Sequence, residues 1–157
     1  MATLRLRRVQ VLKSLAGLLL ALALAAFVAE PAMAEEQHFK AEPNGQITWV
    51  MPSNNIDCVY TPKGGTETYE PTDGGPEISC DRMEPSYVNM TLGPKGPAVL
   101  TKDPGEQPCC SGSNVFAYGN TAHLDGFVCT SSTAGLTCET PDKRHGFCVA
   151  KSRLLHY

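Results

Sequence analysis

The segment from Cys129 to Cys138 constrains this chain most, because it reads as a hairpin that a disulfide can close. Gly126-Phe127-Val128-Cys129 and Leu136-Thr137-Cys138-Glu139 have the length and residue types of two short strands. The polar Ser131 to Gly135 segment between them can turn, with Gly135 supplying a positive φ. Antiparallel pairing then sets the sulfurs face to face, since opposed Cα atoms lie roughly 4.5–5.5 Å apart and a disulfide spans that distance. Closing so short a loop is worth about 2.5–3 kcal/mol through the unfolded chain.

Such a bond needs an oxidising compartment. Arg5, Arg7, Arg8 and Lys13 make a basic start, Leu15 to Val28 is apolar, and Ala32-Met33-Ala34 has the small-x-small form of a cleavage site. The apolar run is shorter than the roughly 20 residues that cross a bilayer, so residues 1–34 read as a secretory signal peptide and not as a stable membrane anchor. Cleavage after Ala34 leaves 123 of the 157 residues, enough for one domain with a modest core. Four of the 13 Lys and Arg and one of the 16 Asp and Glu precede residue 35, so 9 basic and 15 acidic residues remain, a net of −6. That balance argues against nucleic acid or an anionic membrane surface as partner, both of which need clustered cations. All seven cysteines follow Ala34, so the expected location is periplasmic or secreted, and disulfides are expected before metal or redox chemistry. Seven allows at most three bridges and leaves one thiol over.

Residues 35–45 are polar, lack periodicity and carry Pro43 and Gly45, which predicts a flexible lead-in. Gln46 to Met51 is rich in β-branched and aromatic residues and holds the one tryptophan, Trp49, read as a packing residue. Pro52-Ser53-Asn54-Asn55 is a turn sequence leading into the strand Ile56 to Tyr60. Glu77 to Asp81 returns as a strand, and a Cys58–Cys80 bond between the two would contribute about 3–3.5 kcal/mol. Tyr87 to Leu92, Ala98 to Thr101 and Asn114 to Gly119 are further strand candidates. Thr61 to Pro76 and Thr101 to Ser113 are Gly/Pro-rich and read as surface loops. No stretch after residue 34 keeps an amphipathic helical period over three turns, and no repeat period is visible. The expectation for residues 46–157 is therefore a single all-β domain: a small disulfide-stabilised sandwich or partly open barrel of roughly seven to nine strands.

Pro52-Ser53-Asn54-Asn55-Ile56-x-Cys58, Tyr118-Gly119, Cys129, Gly135-Leu136-Thr137-Cys138, His145-Gly146-Phe147 and Ser152-Arg153 together resemble a family of small exported bacterial cysteine-containing domains. The resemblance covers most of residues 46–157 thinly and is strongest over the last 30 or so positions. It implies an exported, disulfide-containing β domain and carries no assigned activity, so it transfers no catalytic residue. This chain departs from the pattern in Asp142-Lys143-Arg144 ahead of His145, and in having Cys148 and the doubled Cys109-Cys110. The third bridge is expected to join Cys148 to Cys109 or Cys110, with a vicinal Cys109–Cys110 bond as the rival.

Several constellations supply residue types without an assembled mechanism. Cys109, Cys110, His145 and Cys148 have zinc-like spacing, but the compartment favours disulfides, so neither metal nor cofactor is expected. A leftover thiol beside His123 or His145 lacks any feature that fixes the pair's geometry. Ser111-Gly112-Ser113 lacks a strand-to-helix elbow. Asp57, Asp81 and Asp125 are acids near cysteine-bearing strands, with solvated strand ends as the plainer reading. The expectation is a monomeric, non-catalytic module that binds an envelope or secreted partner through the loops Thr61 to Pro76 and Thr101 to Ser113. The alternative is a small extracytoplasmic hydrolase using loop carboxylates and His145. A deep pocket joining His145 to an Asp or Glu would favour it, and a flat hairpin face would favour binding.

Overall fold

The computed structural model describes residues 34–105 and 112–157. The leader up to Met33 and the Cys109-Cys110 pair lie outside the described residues. The described residues form eleven strands and no helix. The first six are β1 (Ile47–Val50), β2 (Ile56–Thr61), β3 (Glu77–Arg82), β4 (Val88–Leu92), β5 (Val99–Lys102) and β6 (Asn114–Val115). The other five are β7 (Thr121–Leu124), β8 (Phe127–Ser132), β9 (Gly135–Glu139), β10 (Gly146–Val149) and β11 (Leu154–His156). One sheet has the order β5-β4-β3-β2-β1-β6, the other β11-β10-β9-β8-β7. The chain is all-β, as expected, and its two sheets do not close into a barrel.

Period-two alternation explains how they pack. Ile56, Cys58 and Tyr60 of β2 point inward while Asp57 and Val59 point out, and Phe127, Cys129 and Ser131 of β8 do the same in the second sheet. The inward residues of both sheets make one buried cluster, with Trp49, Ile78, Met90 and Leu92 from the first and Phe127, Leu136, Phe147 and Val149 from the second. A face-to-face β-sandwich results.

Leaving β6 aside, each sheet is the same object: five consecutive antiparallel strands with a disulfide between the second and third. Cys58 lies opposite Cys80 and Cys129 opposite Cys138, all four fully or almost fully buried. Register continues each pair into a transverse row. The first runs Trp49, Cys58, Cys80, Met90, Leu100 and the second Ala122, Cys129, Cys138, Phe147, His156. This internal repeat escapes sequence inspection because only the cysteines match between rows. The connections also differ in length, from Pro62 to Pro76 between β2 and β3 down to Thr133-Ala134 between β8 and β9. That last turn is tighter than the Ser131 to Gly135 segment expected, because β8 and β9 pair as far as Ser132 and Gly135.

Residues 35–45, expected to be a flexible lead-in, are instead docked between the sheets' edges. Thr121 N–H donates to the Glu35 carbonyl at 2.9 Å, and Gln37 N–H to the Thr121 carbonyl at 2.8 Å. The Gln37 amide reaches the Val115 carbonyl at 2.6 Å and accepts from Ala117 N–H at 3.1 Å. Phe39 stacks on Trp49 with ring centroids 5.2 Å apart and meets Phe116 edge-on at the same distance. An isolated polar segment has nothing to bury, but one aromatic ring in it can complete a core. The opposite edge is laced by Ala98 N–H donating to the Tyr157 carbonyl at 3.1 Å. Thr61 to Pro76 is likewise no free loop, for Pro71 is fully buried and Gly75 packs against its ring.

The two bridges close loops of different length, with separations of 22 and 9 residues. Chain entropy assigns them about 3.4 and about 2.7 kcal/mol. Replacing Cys58 and Cys80 by alanine should therefore lower unfolding free energy slightly more than replacing Cys129 and Cys138, by under about 1 kcal/mol. Urea unfolding of the two double variants measures the difference, and a reversed order would mean that packing rather than loop closure dominates.

A candidate ligand cleft at one end of the sandwich

In a meander, alternate turns fall at opposite ends. The β1–β2, β3–β4, β8–β9 and β10–β11 turns all reach one end and there enclose a cleft of about 460 Å³. Its floor is apolar, with Met51, Ile56 and Ala150 buried. Met83 and Tyr118 stand on its wall, and Glu84, Lys151, Ser132 and Asn55 supply its polar rim.

Each turn is held for an identifiable reason. Asn54 takes φ 54°, the left-handed conformation that asparagine tolerates, and its N–H closes on the Met51 carbonyl at 2.9 Å. Asn55 ties this turn to the next. Its Oδ1 accepts from Glu84 N–H at 2.7 Å, its Nδ2 donates to the Glu84 carbonyl at 3.0 Å, and its own carbonyl accepts from Met83 N–H at 3.1 Å. Across the cleft, Lys151 meets Glu84 at 3.2 Å, an exposed pair that adds little stability. Gly135 is required by geometry. At φ 131° an added Cβ would lie 2.6 Å from the Val149 carbonyl oxygen and 2.7 Å from the Ala150 Cβ. Tyr118 is positioned by Gly119 N–H donating to the Ser131 carbonyl at 2.8 Å, while the Ser131 hydroxyl donates to the Phe116 carbonyl at 3.0 Å.

Beneath the cleft lies Arg82, only 3% exposed. Its Nη1 donates to the Ala150 carbonyl at 2.9 Å and its Nη2 to the Ser86 carbonyl and hydroxyl at 3.1 and 3.2 Å, so it clamps the β3–β4 and β10–β11 turns together. No carboxylate of the described residues pairs with it, its Nε has no hydrogen-bond partner, and desolvation lowers its pKa. A buried guanidinium without a counter-ion is expensive to hold, so its worth lies in fixing the carbonyls it bonds.

The residues singled out in the sequence are scattered relative to this cleft. Cys58, Cys80, Cys129 and Cys138 are bridged inside the core. Cys148 points to the outer side of β10, is buried, and has no bridge among the described residues. Its expected partners, Cys109 and Cys110, lie outside those residues. The Cys148 sulfur accepts from Arg153 Nη2 at 2.9 Å, which holds the Arg153 pKa above its usual value, so its bonded neighbour is an arginine and not a histidine. Nearby, the Tyr157 hydroxyl donates to Glu139 and its pKa is pushed up to about 12. His123 is exposed on β7. Ser113 is tied to Thr48 Oγ1 through its N–H at 2.9 Å and its hydroxyl at 3.0 Å.

His145 lies at the other end of the sandwich and does share a groove with an acid, Asp142. That carboxylate is already committed. Oδ1 accepts from the Thr140 hydroxyl at 2.7 Å and from Arg144 N–H at 3.1 Å, and Oδ2 faces Arg144 Nε at 3.6 Å. The Thr140 and Arg144 contacts hold its pKa below the usual aspartate value, which suits a turn anchor and weakens it as a general base. Sequence reading missed the cleft because its residues come from five separate connections, the four turns and the β6–β7 segment that carries Tyr118. Asn55 was in view as a turn residue, without any sign of the turn it would bridge to.

No family model, curated protein or solved structure matches the chain, so the resemblance to small exported bacterial domains rests on the residues quoted for it.

Two outcomes follow from these contacts. Gly135→Ala should lower unfolding free energy by about 2–4 kcal/mol, since it combines a clash with a disfavoured φ. Urea titration checks it, and a loss below about 0.5 kcal/mol would mean that the β8–β9 turn yields freely. On the outer face of the first sheet, Asp57 lies opposite Asp81, and burial followed by the like charge of Asp81 raises its pKa above 3.8. The unfolded chain therefore ionises this group first, so stability falls as pH rises through 3.8 towards the folded-state value, and the penalty is complete at neutral pH. Asp57→Asn should raise the melting temperature at pH 7 and leave it unchanged near pH 3, with a smaller gain in high salt. An equal gain at both pH values would show that charge is not its source.

Proposed function

We propose that this chain is an exported, monomeric, non-catalytic binding module whose ligand site is the end cleft. The observation that carries the reading is the cleft's construction: turns of both sheets, locked to one another by Asn55, Arg82 and Gly135, surround an apolar floor with a polar rim. Pre-formed hollows with an apolar floor and fixed polar groups around it suit binding, because little conformational entropy is lost when they fill. The lining serines make no hydrogen bond to Lys151 or Glu84 among the described residues, and those two charged groups pair with each other at 3.2 Å, so no nucleophile is matched to a base. The two disulfides require an oxidising environment, which supports export, and residues 1–34 would supply the route to the periplasm or the medium. The ligand surface proposed from sequence was the pair of loops Thr61 to Pro76 and Thr101 to Ser113, and no described residue of either lines this cleft. The proposed site is therefore the short turns and not those loops.

Met83 and Tyr118 are the wall residues to change, because at 37% and 39% exposure they can be truncated without opening the core. A fragment screen followed by amide chemical shifts should give perturbations that cluster on the four turns. In Met83→Ala/Tyr118→Ala the affinity of those fragments should fall about 10-fold or more, since wall aromatics and methionines supply much of the contact energy. Perturbations spread over the outer sheet faces, or hydrolase turnover that survives the double substitution, would overturn the reading.

A further inference from the structure

The segments ahead of the two meanders cross one another. β6, which lies just ahead of β7 in the chain, pairs parallel with β1, while Glu36, ahead of β1, bridges in parallel to Thr121 of β7. The first strand of each meander is thus covered by an arm that belongs to the other. The crossing is matched. Gln37 Oε1 accepts from Ala117 N–H at 3.1 Å and Asn114 Oδ1 from Lys40 N–H at 3.0 Å, and Lys40 stands three residues after Gln37 as Ala117 does after Asn114. Phe39 and Phe116, each two residues after its arm's amide side chain, meet edge-on with centroids 5.2 Å apart.

Gln37 also reaches the segment that carries a cleft residue. Its Nε2 donates to the Val115 carbonyl at 2.6 Å, and its Oε1 accepts from Asn120 Nδ2 at 3.1 Å as well as from Ala117 N–H. One amide therefore holds the chain on both sides of Tyr118, which stands on the cleft wall. Tyr118 makes no hydrogen bond of its own among the described residues, so it stands where residues 115–120 put it. Ser131 of β8 holds the same stretch, its carbonyl accepting from Gly119 N–H at 2.8 Å and its hydroxyl donating to the Phe116 carbonyl at 3.0 Å. Of these two holds, only the one from Gln37 can be released without opening a sheet. Residues 34–41 are exposed apart from Gln37 and Phe39, and the arm joins β7 by one isolated bridge. A segment held by so few contacts opens locally at far lower cost than the core.

We propose that residues 35–40 are a clasp that controls the end cleft. With Gln37 docked, Tyr118 is fixed on the wall and the cleft binds; with the arm lifted, residues 115–120 loosen and affinity falls. The inference rests on the reading of that cleft as the ligand site. Gln37 does not line the cleft, so it acts as a positioning residue through the segment it holds. Linkage makes the effect reciprocal, so a molecule bound in the cleft also holds the arm down.

The test is amide hydrogen exchange and fragment binding on the oxidised, exported protein. In Gln37→Ala, exchange at Gly119 and Asn120 should speed up about 10-fold or more, while amides of β3 and β9 keep their rates. Fragments that screening seats on the four turns should bind this variant about 5-fold or more weakly. The unmodified protein supplies the reciprocal measurement. Saturation with the same fragments should slow exchange at Gln37 and Lys40, whose N–H groups bond the Thr121 carbonyl and Asn114 Oδ1 away from the cleft. Unchanged exchange at Gly119 and Asn120, a rise shared equally by β3 and β9, full fragment affinity in Gln37→Ala, or no slowing at Gln37 and Lys40 would each overturn the clasp. If no fragment seats on the turns of the unmodified protein, the reading of the cleft falls, and the exchange rates of Gly119 and Asn120 in Gln37→Ala still decide whether the arm holds the wall.

Discussion

The fold depends on two buried cross-strand bonds that face one another across a single core. Each disulfide sits between the second and third strands of its meander and so fixes the register of the whole sheet, because a one-residue slip would turn every inward side chain to solvent. Register in turn decides which turns meet at each end of the molecule. A chain of this size buries a modest core, and covalent links between strands supply stability that packing alone does not provide.

The equivalence of the two meanders explains where the hollows lie. Two five-strand sheets with matching transverse rows bring their turns together in opposed sets, one from each sheet, and no helix of the described residues covers either end. The ends have diverged in how those turns are treated. At one, side chains bond turn to turn through Asn55 to Glu84 and Arg82 to Ala150, so the cleft is rigid and its polar groups largely satisfied. At the other, the bonds stay within a turn, as between Thr140, Asp142 and Arg144.

What could be read from the residues follows from the range of each interaction. The Cys58–Cys80 and Cys129–Cys138 pairs, the hairpin between β8 and β9 and the turn at Pro52 to Asn55 are local, and residue type with spacing was enough to place them. The docking of residues 35–45 was hidden because Phe39 finds its partners at Trp49 and Phe116, and Gln37 bonds a segment about 80 positions away. Pro71 was read as a loop residue because a proline in polar sequence gives no sign that it will be buried. The parallel pairing of β1 with β6 was hidden likewise, since strand direction is set by how the chain returns and not by two residues of sequence. The same reasoning explains why the cleft was missed: no single stretch contributes more than a few of its residues.

Arg82 shows how strand register and the cleft are joined. The row that places Ile56 opposite Arg82 and Arg82 opposite Val88 leaves the guanidinium pointing into the core end, with the Ala150 carbonyl of the other sheet within reach. An apolar residue there would avoid the uncompensated charge and the orphaned Nε, but would strip hydrogen bonds from the carbonyls of Ser86 and Ala150 at the head of two turns. Leaving the buried Ala150 carbonyl unpaired is itself destabilising by about 1–3 kcal/mol, so the arginine is the lesser liability once those turns must stay where they are. The charge is held because the turn positions are needed, and those positions are what give the cleft its shape.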